Sequence, residues 1–112
     1  MSAGEKKLMH CFAFTPTSGA AQADWDAFYN ATDALPKKIH GISRVWYGKL
    51  ENPLTVAGAN GVKHVRQYGV CMEMSDTAAL KAYENDPAHQ AWLEVYEKVR
   101  EAGTTTFNIL GQ

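Results

Sequence analysis

Cysteine is scarce: Cys11 and Cys71 are the only two in a chain of 112 residues. Two are too few for a disulfide framework, and their spacing is not that of a zinc site. Both read as reduced packing residues, with oxidation across neighbouring strands left open as the alternative. Long hydrophobic runs are missing as well. The apolar stretch over residues 8–14 is too short and interrupted for a signal peptide or membrane span, and residues 1–7 are polar. A cytoplasmic location with no membrane contact is the expectation. Charge of one sign is not in excess either, since eleven Lys plus Arg against twelve Asp plus Glu leave a formal net charge of -1. So small a field gathers neither phosphate backbones nor anionic lipid, which excludes nucleic acid as an expected partner.

Several chemical signatures are also lacking. No phosphate loop, nucleophile elbow or dinucleotide glycine pattern occurs, so nucleotide and acyl-enzyme chemistry have no support and no cofactor is expected. His10, His64 and His89 fall on different elements, without a His-x-x-x-His pair or paired carboxylates on one helix, so no metal is expected. Fixed-period repeats, low-complexity tracts and linkers are missing too.

What is present is globular composition, 46% hydrophobic against 21% charged, in a chain sized for one core. Residues 1–112 therefore form a single domain with its core over about residues 8–110. Residues 8–14 alternate as a strand, with Leu8, His10, Phe12 and Phe14 on one parity and Met9, Cys11 and Ala13 on the other. Trp25, Phe28, Tyr29 and Leu35 recur at three- and four-residue steps and predict an amphipathic helix over residues 24–38, with Asp24 as N-cap, Pro36 in its last turn and Gly41 beyond it. Residues 42–50, rich in branched and aromatic side chains, predict a second strand. Residues 52–61, with Pro53 and the Asn60-Gly61 pair, predict a surface loop.

A third strand over residues 64–74 sets Tyr68, Val70, Met72 and Met74 against Gln67, Gly69, Cys71 and Glu73. A short helix over residues 76–85 cannot run on through Pro87, and a second restarts there with Asp86 as cap and Trp92, Val95, Tyr96 and Val99 as its inward stripe. Glu97, Lys98, Arg100 and Glu101 read as a solvated face near its end. Gly103 stops this helix, and residues 104–110 alternate as a last strand.

The order β-α-β-β-α-β, with its second helix split, predicts an α+β domain: one four-stranded antiparallel sheet with the helices on one face. The other face, including Cys11, Ala13, Val45, Tyr47 and Cys71, stays apolar and uncovered. A second copy of the sheet is the expected cover, giving a homodimer.

The early strand with His10, the segment Ile39-His40-Gly41-Ile42 leading into Trp46-Tyr47-Gly48, and Tyr83 followed by Asp86-Pro87-Ala88-His89 together resemble the Dabb family, the stress-responsive dimeric α/β barrels. The resemblance spans about residues 8–110. It implies a ferredoxin-like unit whose sheets pair into a barrel. It also implies a family in which some members are stress proteins without an agreed reaction and others are polyketide cyclases closing rings by aldol chemistry. On that pattern Tyr83 and His89 match an acid/base pair, and His10 matches a further pocket histidine. Tyr68 stands where the cyclases have a histidine and Thr32 where they have a tyrosine, and these departures set the substrate apart.

His89 and Tyr83 are thus the candidate catalytic residues, with His10, Tyr68, Thr32 and Trp46 the candidate contacts for a small carbonyl substrate. His89, third in its helix, lies where the macrodipole disfavours a proton, as a general base requires. The equally direct reading makes His89 a capping residue and His10 and Tyr68 hydrogen-bonded core residues. His40 and His64 read as solvated. Two other functions share the fold: a non-catalytic binding or stress-assembly module, and a cofactor-free oxygenase acting on small aromatics.

Overall fold

The computed structural model describes residues 6–112. In chain order these form β1 (Leu8–Phe14), α1 (Gln22–Lys38), β2 (Ile42–Ala57), a 3-10 turn (Ala59–Gly61), β3 (Lys63–Met74), α2 (Thr77–Glu84), α3 (Pro87–Glu97) and β4 (Thr105–Leu110). The strands make one antiparallel sheet in the order β2-β3-β1-β4, so β1 is paired on both sides. Alternation decides which residues meet the helices. Leu8, Phe12 and Phe14 of β1 and Val70, Met72 and Met74 of β3 are buried against Phe28 and Leu35 of α1, Tyr83 of α2, and Trp92 and Tyr96 of α3.

Local chemistry sets the helix ends. The Asp76 carboxylate accepts from the Ala79 amide at 2.8 Å, and the Asp86 carboxylate accepts from the Ala88 amide at 2.8 Å. Pro87 occupies the first position of α3, where a missing amide costs no helical bond. α1 begins earlier than predicted, with Ala21 at the cap position. Asp24 reaches back from the third helical position to accept the Ala21 amide at 3.0 Å. Gly41 joins α1 to β2 at φ 100°, and a Cβ there would meet the Ala79 methyl at 2.8 Å, so no larger residue fits.

Four expectations are corrected. First, Val45 and Tyr47 pack on the helix side and Trp46 faces away, the reverse of the predicted parity. The pairing of β2 with β3 steps from Ile42 opposite Met74 to Arg44 opposite Glu73, so Ser43 is an extra residue, and a one-residue bulge inverts every later side chain. Second, the predicted loop over residues 52–61 is mostly strand. Leu54 through Ala57 pair with Arg66 through Lys63, after residues 50–53 bulge out around Pro53, and only the Asn60-Gly61 turn remains. Third, α3 ends at Glu97, well before Gly103, so Arg100 leaves the helical phase and folds over the Tyr96 ring at 4.9 Å instead of facing solvent. Fourth, Cys11 and Cys71 are not reduced. They are direct partners in the β1–β3 register and are joined by a disulfide.

The disulfide closes a span of 60 residues in sequence. A loop of that size constrains the unfolded chain by roughly 4 kcal/mol on the chain-entropy account. Reduction, or the Cys11→Ala/Cys71→Ala pair, is expected to lower the unfolding free energy by most of that amount, read as a lower urea midpoint on dithiothreitol-treated than on oxidised protein. An unchanged midpoint would show that the bond constrains nothing.

Candidate functional site

The break between α2 and α3 builds the site. Tyr83 lies in the last turn of α2, and His89 is the third residue of α3, its amide donating to the Asp86 carbonyl at 2.9 Å. The turn between them folds the imidazole onto the phenol ring, with centroids 4.1 Å apart and planes 36° apart. On its other side His89 stacks on Trp92 at 6.0 Å and 21°. From β1, His10 brings its ring to 5.6 Å from that of Tyr83. His10 Nδ1 lies 2.6 Å from Asn108 Oδ1 on the neighbouring β4. The amide oxygen can only accept, so Nδ1 carries the proton, and in the neutral ring Nε2 is left as an acceptor.

These three side chains line one end of a cleft of about 210 Å³ whose remaining walls include Phe12, Trp92, Tyr96, Arg100, Thr104 and Thr106. The environment tunes each group. Burial pushes the His89 imidazole below its ordinary value; His10 adds to this, while the Glu84 backbone, the Glu84 charge and Asp86 oppose it. Neutral imidazole is therefore favoured, and desolvation outweighs the carboxylates. Its Nδ1 is buried with no hydrogen-bond partner among the described residues. Burial likewise raises the Tyr83 phenol well above its usual range, with Tyr96 and Glu84 contributing, so its hydroxyl stays a donor. A neutral base, a protonated phenol and a second imidazole are the elements of proton transfer at carbon next to a carbonyl.

The other three expected residues do not join them. Thr32 is fully buried, and its hydroxyl is committed: it donates to the Phe28 carbonyl at 2.7 Å and accepts the Trp92 indole N–H at 2.9 Å. It fixes α1 to α3 and lines neither this cleft nor the one beside Tyr68. Tyr68 does turn toward the helices, as its parity predicts, but β1–β3 pairing sets it opposite Phe14 while His10 lies opposite Met72. Four residues of strand, roughly 13 Å, separate the two levels. Tyr68 instead lines a different cleft, of about 640 Å³, with Trp25, Tyr29, Leu50 and Pro53. Burial and a hydrogen bond to Tyr29 raise its phenol far above the usual range. Trp46 is 77% exposed on the opposite face of the sheet, carried there by the Ser43 bulge.

Three contributors escaped the sequence reading. Asn108 shows only once β4 is paired with β1, Thr106 sits beside it on the same face, and Arg100 enters because α3 stops early. Of the two solvated expectations, His40 and His64 are both exposed. No cluster of three or more metal-ligating side chains occurs among the described residues, and no helix among them is long and apolar enough to cross a membrane.

The model of the family described as Stress responsive A/B Barrel Domain matches residues 8–107. None of the curated proteins matches the chain. Among solved structures it is similar to a dimeric protein of unknown function with a ferredoxin-like fold from Bacteroides fragilis, at 18% identity and a TM-score of 0.68, covering 93% of this chain and 95% of that one. It is similar to the hydroxynitrile lyase of Passiflora edulis at 13% identity and a TM-score of 0.73, covering 96% and 94%. It is also similar to a Dabb family protein with a ferredoxin-like fold from Mesorhizobium loti, at 16% identity and a TM-score of 0.68, covering 96% and 98%. At such identities the likeness establishes the fold, and the chemistry has to be read from this chain's own residues.

Two outcomes are expected of the site residues. Because His89 binds its proton less readily folded than unfolded, the unfolded state takes up more protons as pH drops below about 6.5, and stability falls with it. Thermal melts from neutral pH to pH 5 are expected to show a smaller acid-side loss in His89→Gln than in the wild type. An identical slope would place the imidazole in water. Thr32→Val orphans the Trp92 indole and is expected to cost about 1–3 kcal/mol in urea denaturation.

Proposed function

The chain belongs to the Dabb family of stress-responsive A/B barrel domains, and from that premise we propose that it is a small-molecule enzyme whose cleft performs acid–base chemistry on a carbonyl compound. The observation that carries the reading is the His89 imidazole, favoured neutral by burial and packed with its centroid 4.1 Å from that of Tyr83 at the end of a cleft that His10 also lines. In the proposed step, His89 removes a proton from carbon adjacent to the carbonyl. The electron pair moves onto the carbonyl oxygen, and the Tyr83 hydroxyl donates a hydrogen bond to the resulting enolate. His10, oriented by Asn108, presents Nε2 as an acceptor to a substrate hydroxyl, and His89 holds the abstracted proton for return to the product. In an aldol closure the enolate carbon attacks a second carbonyl carbon and the new alkoxide takes the proton held by His89. The lyase direction runs the same steps backwards, from hydroxyl deprotonation through C–C cleavage to the enolate.

Cleft size narrows the substrate. A volume of about 210 Å³ falls below the ~300–1,000 Å³ usual for ligand pockets. That supports a keto compound short enough to lie within this one cleft over a long polyketide chain.

We also propose that the protein assembles as a homodimer through the open sheet face. Trp46 is 77%, Ile109 55% and Phe107 48% exposed beside the Cys11–Cys71 bond, an apolar surface that water covers only at a cost. Structural neighbours are dimeric. The non-catalytic alternative makes this surface the whole function.

Deuterium exchange next to the carbonyl, followed by NMR over a panel of small ketones and aldehydes, tests the catalytic reading. Exchange is expected in the wild type, reduced about 10²–10⁴-fold in His89→Gln, with oxygen uptake monitored in parallel to detect oxygenase chemistry. Wild-type rates in His89→Gln would end the proposal. For assembly, Trp46→Glu is expected to shift the sedimentation coefficient from dimer to monomer, and a wild type already monomeric at micromolar concentration would overturn the dimer.

A further inference from the structure

The far end of the cleft is built differently from the His89 end. Asn108 marks the level of His10 on β4, and Thr104 lies four residues away, roughly 13 Å along the strand. At that end Thr104 Oγ1 and Tyr96 Oη are hydrogen-bonded at 2.6 Å, and Arg100 forms the wall. The guanidinium is held in place three ways. It stacks over the Tyr96 ring at 4.9 Å, one Nη lies 3.7 Å from the Glu97 carboxylate, and the other donates to the Glu101 carbonyl at 3.3 Å.

Two features make this end short of negative charge. Arg100 Nε is buried with no hydrogen-bond partner among the described residues, and a buried donor left unpaired is costly. Its one carboxylate, Glu97, is 63% exposed, and pairs of that kind are screened and contribute little. A second guanidinium lies close by. Arg66 is buried, donating Nε to Thr105 Oγ1 at 3.2 Å and Nη1 to Thr15 Oγ1 at 3.1 Å, and forms no ion pair among the described residues. Its Nη2 runs beneath Gly103, where a Cβ would meet it at 3.1 Å and where φ is 100°, so the loop next to Thr104 is shaped to admit it. Both arginines draw the Tyr96 phenol down against the burial that raises it.

We propose that Arg100 is a specificity-determining residue that binds an oxyanion at the end of the substrate remote from the reacting carbonyl. The substrate class is accordingly a keto acid, or a keto compound bearing a phosphate ester, with an apolar spacer lying along Trp92, Leu93 and Tyr96. This deepens the acid–base reading of the same cleft and rests on it for the identity of the reacting group. The anion replaces the exposed Glu97 carboxylate as the partner of the stacked guanidinium, with the Thr104 and Thr106 hydroxyls beside it. Arg66 supplies field and shapes the loop without touching the substrate.

Titration calorimetry with levulinate and its homologues of longer methylene spacer, each beside its uncharged primary amide, tests the assignment. The acid is expected to bind more tightly than its amide by about ten-fold, the scale of one charge-assisted contact. That preference is expected to peak at one spacer length and to weaken with added salt. Arg100→Gln is expected to abolish it. Arg100→Lys, which keeps the charge should the glutamine variant fail to fold, is expected to retain part of it. Inorganic phosphate and acetate as competitors separate the two oxyanions, the better competitor naming the group.

Equal affinity for acid and amide, no binding at any spacer length, or a preference surviving in Arg100→Gln would each overturn the assignment. Failure here is distinguishable from failure of the acid–base reading. Deuterium exchange on neutral ketones without any acid preference sinks only the Arg100 site, whereas an acid preference intact in both wild type and His89→Gln, with no exchange in either, sinks only the catalysis.

Discussion

Everything in the molecule follows from the register of β1 between its two neighbours. Paired to β3 and β4 at once, this strand has no freedom to slip, because a one-residue shift would carry Phe12 and Phe14 out of the core and Cys11 into it. The same register sets Cys11 opposite Cys71, Phe14 opposite Tyr68 and His10 opposite Asn108. One pairing thereby fixes the covalent crosslink, the aromatic floor beneath α1 and the orientation of a site imidazole. The helices then have little choice of position, since Phe28, Trp92 and Tyr96 must cover Phe12 and Phe14.

Local patterns carried most of this fold in the sequence. Alternation in residues 8–14, the three- and four-residue steps of α1 and the Asp86-Pro87 restart are all decided by nearest neighbours along the chain, and each element forms, α1 starting at Gln22 ahead of the expected Asp24 cap. Tyr83 and His89 were legible for the same reason: the feature that brings them together is the helix break between them. Trp46 and Arg100 were not. Whether Trp46 faces the helices depends on one inserted residue at Ser43, stabilised by hydroxyl donation to the Glu73 carboxylate at 2.6 Å, a partner thirty residues away in sequence. Arg100 escaped because helical phase was carried past Glu97, where the chain had already turned.

Tyr68 shows a different kind of gap. Its parity was right, and parity selects a face of the sheet but says nothing about position along it. Only the pairing of strands converts a residue number into a level, and pairing is non-local. The result is two clefts on one side of the sheet, a narrow one under α3 with two imidazoles and a wide one beneath α1 with tyrosines. Thr32 seals the layer between them by tying the Trp92 indole to α1. Gathering His89, Tyr83, His10 and Tyr68 into one hollow merges two clefts that position along the strands keeps apart.

Pro87 is what makes the acid–base arrangement feasible. Residues six apart on an unbroken helix differ by about 240° in direction and about 9 Å in height, so their rings cannot stack. Here the ring of Tyr83 ends one helix and that of His89 opens the next, and the turn at Asn85 and Asp86 folds them to 4.1 Å. The same break exposes fresh amide donors at the start of α3, one of which Asp86 takes, while desolvation, helped by His10, disfavours a proton on the imidazole. Asp86 works the other way, since its negative charge supports the protonated form. Burial wins because the half-buried ring is packed between Tyr83 and Trp92, while the carboxylate is engaged by its own cap. A base that remains neutral beside an aspartate is therefore a consequence of where the helix was interrupted.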